Sequence, residues 1–324
     1  MRLDGFVVAM TAAVAFALLW PEPGTADGPL HLGRLTQLGI ALVFFSHGVL
    51  LSPRAVRDGA AKWRLHLFVQ TCTFVLFPLL GALVYWGTSS VLGEEVRVGF
   101  FLLCAMSSTI STSVAMTVMA RGDVASAVFN ASASNLIGMV LTPLLMLAVT
   151  AGQQSTQPLV GTLGGILAML LVPFALGQLV RPVLLARLEP HKALIGKLDR
   201  SVIVLIVYGS FCESTASGVW QRFSLGQLLM TGALALSLLV VMLVLTSAAA
   251  RRLGFSRAEE ITAVFCGSKK SLASGAPLAR IMFASHPGLG LIMLPLMVYH
   301  QLQLVVCTAL AQRYAQRVEA SSAA

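Results

Sequence analysis

From Leu3 to about Gln312 the chain is a succession of apolar stretches of roughly 20 residues or more, joined by short polar connections. In a bilayer the backbone must satisfy its own hydrogen bonds, so a run of that length and hydropathy is constrained to a spanning helix. Ten candidate spans can be drawn, at about 3–20, 35–51, 65–87, 97–120, 124–150, 159–180, 201–220, 225–249, 258–283 and 288–312. With 57% hydrophobic and 11% charged residues, the composition lies outside soluble usage and leaves no room for a separate soluble domain. The expectation is an all-α integral membrane protein with ten transmembrane helices. Leu3–Trp20 ends at Pro-Glu-Pro and not at small residues, which argues against a cleaved signal.

The net charge of +9 does not point to nucleic acid, because the basic residues sit in short clusters between apolar runs. With the N-terminus inside, the inner connections and ends carry sixteen Lys and Arg, among them Arg2, Arg54, Arg57, Arg121, Arg187, Lys192, Arg200, Arg251 and Arg313. The outer side carries Arg34, Arg97, Arg222 and Arg280. That asymmetry places both termini in the cytosol and requires an even span number. The five cysteines all lie in apolar runs and read as small buried hydrophobes.

Two adjacent lysines interrupt span nine, in Phe265-Cys266-Gly267-Ser268-Lys269-Lys270-Ser271-Leu272-Ala273-Ser274-Gly275. A lysine at mid-membrane costs roughly 2.5–3.5 kcal/mol, so the pair marks a function. Gly267, Gly275 and Pro277 are expected to break the helix there, which requires burial in protein or a watery cavity. Span four carries a matching polar run, Ser107, Ser108, Thr109, Ser111, Thr112 and Ser113, and Cys104 aligns with Cys266 when the two are superposed. Two five-span halves, 1–157 and 158–324, then run through the membrane in opposite senses, the signature of an inverted-repeat transporter whose site lies between broken helices. Freed N–H groups at half-helix ends, together with lysines, favour an organic anion as substrate.

Span five shows Ser126, Asn130 and Ser134 at four-residue spacing, one polar stripe that must avoid lipid, with Asn135 beside it. Asn130 is the expected functional member. His300 and Gln303 lie mid-span in the last helix, where an imidazole can bond or carry a proton. His47 reads as an interfacial or packing residue, Gln70 and Thr73 as possible cavity lining, and Glu259 and Glu260 as a hydrated inner entry. The candidate binding set is Ser108, Thr109, Ser111, Thr112, Ser113, Ser126, Asn130, Ser268, Lys269, Lys270, Ser271, His300 and Gln303.

Several stretches resemble the bile acid:sodium symporter superfamily, in its SBF-like branch. They are Phe44-Phe45 with Gly48, Leu65 to Gln70, Ala120-Arg121-Gly122-Asp123-Val124-Ala125, Ala127 to Asn130, Leu141-Thr142-Pro143-Leu144-Leu145, Phe265-Cys266 with Lys270-Ser271-Leu272, and Pro295-Leu296 with Tyr299-His300. The resemblance extends from span two to span ten. It implies a panel domain of spans 1, 2, 6 and 7, a core domain of spans 3–5 and 8–10, crossing discontinuous helices four and nine, and transport by alternating access. It also implies sodium ligands, and here this sequence departs. The span-four Ser remains as Ser113, but the neighbouring Asn becomes Val114, the span-five hydroxyls become Ala127 and Ala131, and the span-nine Glu becomes Phe265. The second site's glutamines fall at Thr73 and Lys269. A fixed ammonium repels a hard cation that needs several oxygen ligands.

The expected function is therefore secondary transport of a small organic anion, bile-acid or sterol-like or another carboxylate or sulfate, with H+ or Na+ as coupling ion and Lys269 or Lys270 in place of sodium. No bound cofactor and no nucleic acid is expected, the partners are substrate and lipid, and the chain is a monomer or homodimer in the cell membrane. Two other classes stand beside it: a non-transporting regulator of ion homeostasis on the same fold, and an intramembrane enzyme with Ser268 or Ser271 activated by lysine.

Overall fold

The computed structural model describes residues 5–25, 28–51, 62–150, 159–284 and 286–322. The expectations that rest on Arg2, Arg54 and Arg57, or on a boundary between 157 and 158, fall outside them. Among the described residues there is no strand. The helices are α1 (Gly5–Leu19), α2 (Leu32–Leu50), α3 (Trp63–Gly87), α4 (Glu94–Ala105), α5 (Ser111–Met119), α6 (Val124–Thr150), α7 (Leu159–Leu188), α8 (Lys192–Ala216), α9 (Leu225–Arg252), α10 (Arg257–Gly267), α11 (Leu272–Met282) and α12 (Leu289–Ser322).

Among the described residues, six helical stretches are long and apolar enough to cross a membrane, one of them running from Gly164 to Ala216. At 1.5 Å per residue such a stretch, if straight, exceeds any bilayer, and it is interrupted at the short 3-10 segment Glu189–His191. Spans four and nine do not register as single long helices because each is split, into α4 and α5 and into α10 and α11. Large apolar side chains stand on the outside, with Leu38, Leu83 and Leu179 about 70% exposed, as a lipid-facing surface requires. Trp20, Trp63 and Trp86 sit exposed at helix ends, where indoles anchor at the headgroup level.

Several expected boundaries move. α8 begins at Lys192, well before the apolar run at 201, because a helix continues past the hydrocarbon edge when polar residues can complete its first turns. The break in span nine falls at Ser268–Ser271, whereas Gly275 and Pro277 lie inside α11. Gly275 is instead a packing position, since a Cβ there would meet Leu296 Cδ2 at 2.5 Å.

The helices form two contact groups. α2 packs on α7 and on α8, and α8 on α1; α3, α4, α5, α6, α9, α10, α11 and α12 pack among themselves, meeting the first group where α8 touches α11 and α12 and α7 touches α6. The α2–α7 contact is set by two glycines: a Cβ on Gly48 would strike the carbonyl oxygen of Phe174, and one on Gly177 that of Phe45. Small residues at such crossings let backbones approach where lipid offers no hydrophobic drive.

The connection between α5 and α6 is clasped to the start of α10. Lys62 Nζ reaches Asp123 Oδ2 at 2.9 Å and Glu259 Oε1 at 3.0 Å, the Asp123 amide donates to Ala258 O, and Thr262 Oγ1 donates to Asp123 O. Glu259 also closes a capping box with Ser256. Glu260 is buried and takes hydrogen bonds from Arg251, Arg257 and Ser247. The acidic pair expected as a hydrated entry is thus consumed in ion pairs, because buried carboxylates need partners.

Gly177→Leu is expected to cost about 3 kcal/mol or more, through overpacking against backbone that cannot yield, while Gly165→Leu, on the same helix with nothing within 4 Å of its Cβ site, leaves thermal unfolding of the purified protein nearly unchanged. Burial opposes ionisation of Asp123, but Lys62 and the two bonds from Ser126 outweigh it and hold the carboxyl at about 2, below the ordinary 3.8. A depressed carboxyl stabilises above its unfolded value and ceases to as pH falls through the folded one. The stability difference between wild type and Asp123→Asn, read by thermal unfolding, is therefore expected to hold at neutral pH and to close between pH 4 and about 2.

Candidate functional site

A broken helix leaves carbonyls at its C-terminal end without N–H partners, and inside a membrane they must be met by side chains. Each break meets this need from the other. α4 ends at Ala105, and Lys270, in the second break, donates from Nζ to Cys104 O and Met106 O, both at 2.7 Å. Its third bond, 3.0 Å, goes to Thr73 O. That carbonyl is available because Cys72–Leu76 is a π-helical turn: Phe77 N bonds Cys72 O, and Pro78 has no N–H to offer. Ala105 O is taken by Thr142 Oγ1 at 2.8 Å. The Lys270 ammonium lies 4.0 Å from the Phe77 ring centre.

The reverse exchange closes α10. Ser108 Oγ donates to Cys266 O at 2.7 Å and Ser113 Oγ to Phe265 O at 3.1 Å. Ser268 Oγ bonds back to Val264 O, Tyr299 OH donates to Ser268 O, and the Gln303 amide accepts from Lys270 N and donates to Lys270 O. Lys269 Nζ reaches Thr112 O at 3.0 Å. The two breaks touch directly where Ser271 N donates to Ser107 O, and the Ser107 and Ser274 hydroxyls share Asn135 Oδ1.

On the other side of this crossing lies a cavity of about 500 Å³. Its floor is made by Thr109 to Thr112, where α5 begins, and Ser271 to Ser274, where α11 begins. Its walls include Ser132 and Asn135 of α6, His300 of α12, and His47, Lys192, Asp199 and Arg200 from α2 and α8. Two helix N-terminal ends and two basic side chains therefore face one space that mixes apolar and polar walls.

The candidate residues from the sequence divide between crossing, cavity and neither. Thr109, Ser111, Thr112, Ser271 and His300 line the cavity. Ser108, Ser113, Ser268, Lys269, Lys270 and Gln303 are buried in the crossing, and the lysines have no exposed surface, so neither ammonium faces the cavity. Ser126 bonds Asp123 in the clasp; Asn130 is buried against Ser126 and Gln70, away from the cavity wall. Gln70 and Thr73 do not line the cavity either. The span-five stripe faces protein throughout, with Ser134 Oγ accepting from Ser108 N. His47, expected to be an interfacial or packing residue, stands on the cavity wall with Nε2 3.1 Å from Asp199 Oδ2. Asp199 and Arg200 were not legible as wall residues because the apolar run starts after them, although the helix does not. For the enzyme reading, Ser268 Oγ bonds back to Val264 O, Ser271 Oγ caps α11, and both ammonium groups donate to carbonyls.

At the positions where sodium ligands are implied by the resemblance, Ala127, Ala131 and Phe265 have no exposed surface. Ala127 and Val114 belong to an apolar cluster with Leu65, Val69 and Cys266. The side chains there offer two oxygens, the Ser113 hydroxyl, which donates to Phe265 O, and the Thr73 hydroxyl, which donates to Val69 O.

Comparison with known proteins places the chain in a family. The chain matches the family model described as the SBF-like CPA transporter family over residues 4–316. YfeH of Escherichia coli (strain K12), named as a symporter, is 42% identical over 321 residues, covering 98% of this chain and 94% of the relative. The uncharacterized protein PA2026 of Pseudomonas aeruginosa is 42% identical over 321 residues, covering 99% and 96%. Sodium/bile acid cotransporter 7 of Xenopus tropicalis is 30% identical over 318 residues, covering 96% and 91%. With a match along nearly its whole length and helices able to cross a bilayer, the chain is an integral membrane protein that belongs to the SBF-like CPA transporter family.

Proposed function

We propose that this protein is a secondary active transporter of a small organic anion, working by alternating access between a panel of α1, α2, α7 and α8 and a core of the remaining helices. The reading takes the chain as ten passes in two inverted five-pass halves, 1–157 and 158–324, with both termini on the cytosolic side of the cell membrane. The observation that carries it is the floor of the cavity. Two half-helices begin there, so positive dipole ends converge on one space beside Arg200 and the Lys192–Glu189 pair. A carboxylate, sulfonate or sulfate fits that field, and the apolar walls suit an organic body. A cavity lined by Lys192 and Arg200, residues of the inner connections, opens toward the cytosol in this orientation.

Lys270 takes the role of a fixed cation that holds the crossing helices together, where the cotransporter among the relatives carries sodium in its name. A neutral lysine would present a lone pair to one of three carbonyls, so the bonded arrangement requires the ammonium. The pair of alanines and the phenylalanine at the implied ligand positions support transport without sodium in those sites.

Two results are expected. In proteoliposomes, uptake of a labelled organic anion such as taurocholate saturates and is unchanged when choline replaces sodium; uptake that requires sodium and survives Lys270→Ala overturns the fixed-cation assignment. In thermal unfolding, Lys270→Met is destabilised by about 3–5 kcal/mol, since three buried carbonyls lose their donor, and Lys269→Met, with one carbonyl at stake, by less. Equal stability of the two variants counts against the cage.

A further inference from the structure

The cavity wall carries one titratable pair that the crossing does not use. His47 is in the last turn of α2 and Asp199 two turns into α8, with Nε2 and Oδ2 3.1 Å apart and side chains 31% and 17% exposed. The second carboxylate oxygen, Asp199 Oδ1, is buried without a hydrogen-bond partner. Both residues line the cavity.

The other charged or titratable groups around them are committed elsewhere or do not titrate near neutrality. Lys192 pairs with Glu189 at 2.6 Å. Arg200 keeps its charge at every physiological pH. On α7, Arg181 lies one turn beyond Gln178, whose amide bonds Gly48 O and Leu51 O at the end of α2. Across the cavity, His300 Nδ1 is 2.9 Å from Gln303 Nε2, and Gln303 Oε1 already accepts from Lys270 N. The amide nitrogen is therefore the donor, Nδ1 the acceptor, and the His300 ring neutral. Lys269 and Lys270 have no exposed surface and are bonded to carbonyls.

We propose that His47 and Asp199 form the proton-binding site that couples proton movement to anion binding in this cavity. The proposal rests on the anion reading above and adds the coupling ion and its place. With His47 neutral, its Nε2–H donates to Asp199 Oδ2 and the pair carries one negative charge facing the space where an anion binds. A proton taken from cavity water adds to Nδ1, the pair becomes neutral in sum, and the repulsion is removed. Binding of anion and proton then favour each other reciprocally, so the two are loaded together.

The test uses purified full-length protein in nanodiscs, with benzenesulfonate and taurocholate as probes; both sulfonates stay ionised throughout, so any pH dependence belongs to the protein. Wild type is expected to bind about tenfold or more tightly at pH 5.5 than at pH 8.0. His47→Gln is expected to bind at both pH values as weakly as wild type at pH 8.0. Asp199→Asn is expected to bind more tightly than wild type at pH 8.0, because the opposing charge is gone; a merely structural pair predicts weaker binding in both variants. Equal wild-type affinity at the two pH values, or pH dependence retained in His47→Gln, overturns the proposal. Should His47→Gln fail to unfold cooperatively, Asp199→Asn decides, and no gain at pH 8.0 overturns it. Failure of both sulfonates to bind wild type at either pH removes the anion reading and this proposal with it.

Discussion

The structure depends on an exchange of hydrogen bonds between two interrupted helices. Leaving the helical path inside a bilayer strands carbonyl groups whose unmet burial costs several kcal/mol in hydrocarbon. Here the debt of each break is met by the other: Lys270 for the end of α4, Ser108 and Ser113 for the end of α10. A charged donor suits α4, because its C-terminal end carries negative partial charge and a single ammonium satisfies three carbonyls at once. The supporting groups follow from the same need. Thr142, Tyr299 and Gln303 each supply a bond that the backbone cannot, and the π-turn at Cys72–Leu76 frees the Thr73 carbonyl that completes the cage.

One consequence is a division of labour along the same two segments. Their C-terminal ends are sealed, dry and tied to each other, while the N-terminal ends of α5 and α11 begin at the floor of the cavity. Rigidity and binding are thus separated by a few residues. Ser108 and Thr109 are neighbours, yet one closes α10 and the other faces the open space. The ionic clasp of Lys62, Asp123 and Glu259 adds a second tie between the α5–α6 connection and α10, at the polar edge where ions remain partly hydrated. These ties lie among α3 to α6 and α9 to α12, and α8 joins that group through Ser214, whose hydroxyl donates to Pro287 O and accepts from Gly290 N.

Legibility from the sequence followed the cost of each feature. Adjacent lysines in an apolar run are so expensive that their importance was evident without coordinates, and the hydroxyl run from Ser107 to Ser113 was visible for its density. The stripe Ser126, Asn130, Ser134 is legible as avoiding lipid, which left protein or water, and it faces protein. Which face of the protein it meets was not legible, and Asn130 proved to bond Gln70 and Ser126 away from the cavity. His47 reads from the sequence as an interfacial or packing residue and Asp199 carries no signal, since each alone is ordinary near a membrane edge; they gain meaning by lying 3.1 Å apart across a separation of 152 residues.

Hydropathy, charge asymmetry and the two polar interruptions were enough to establish a helical membrane chain with a pair of special segments, since each depends on transfer from water to lipid and so on local composition. The sharing of polar groups between those segments is different in kind. Whether a lysine meets a carbonyl cage or a ligand, and whether a serine seals a helix end or lines a cavity, depends on directions and distances of a few ångströms between residues far apart in the chain. Those are set by packing, and only the tertiary structure decided them.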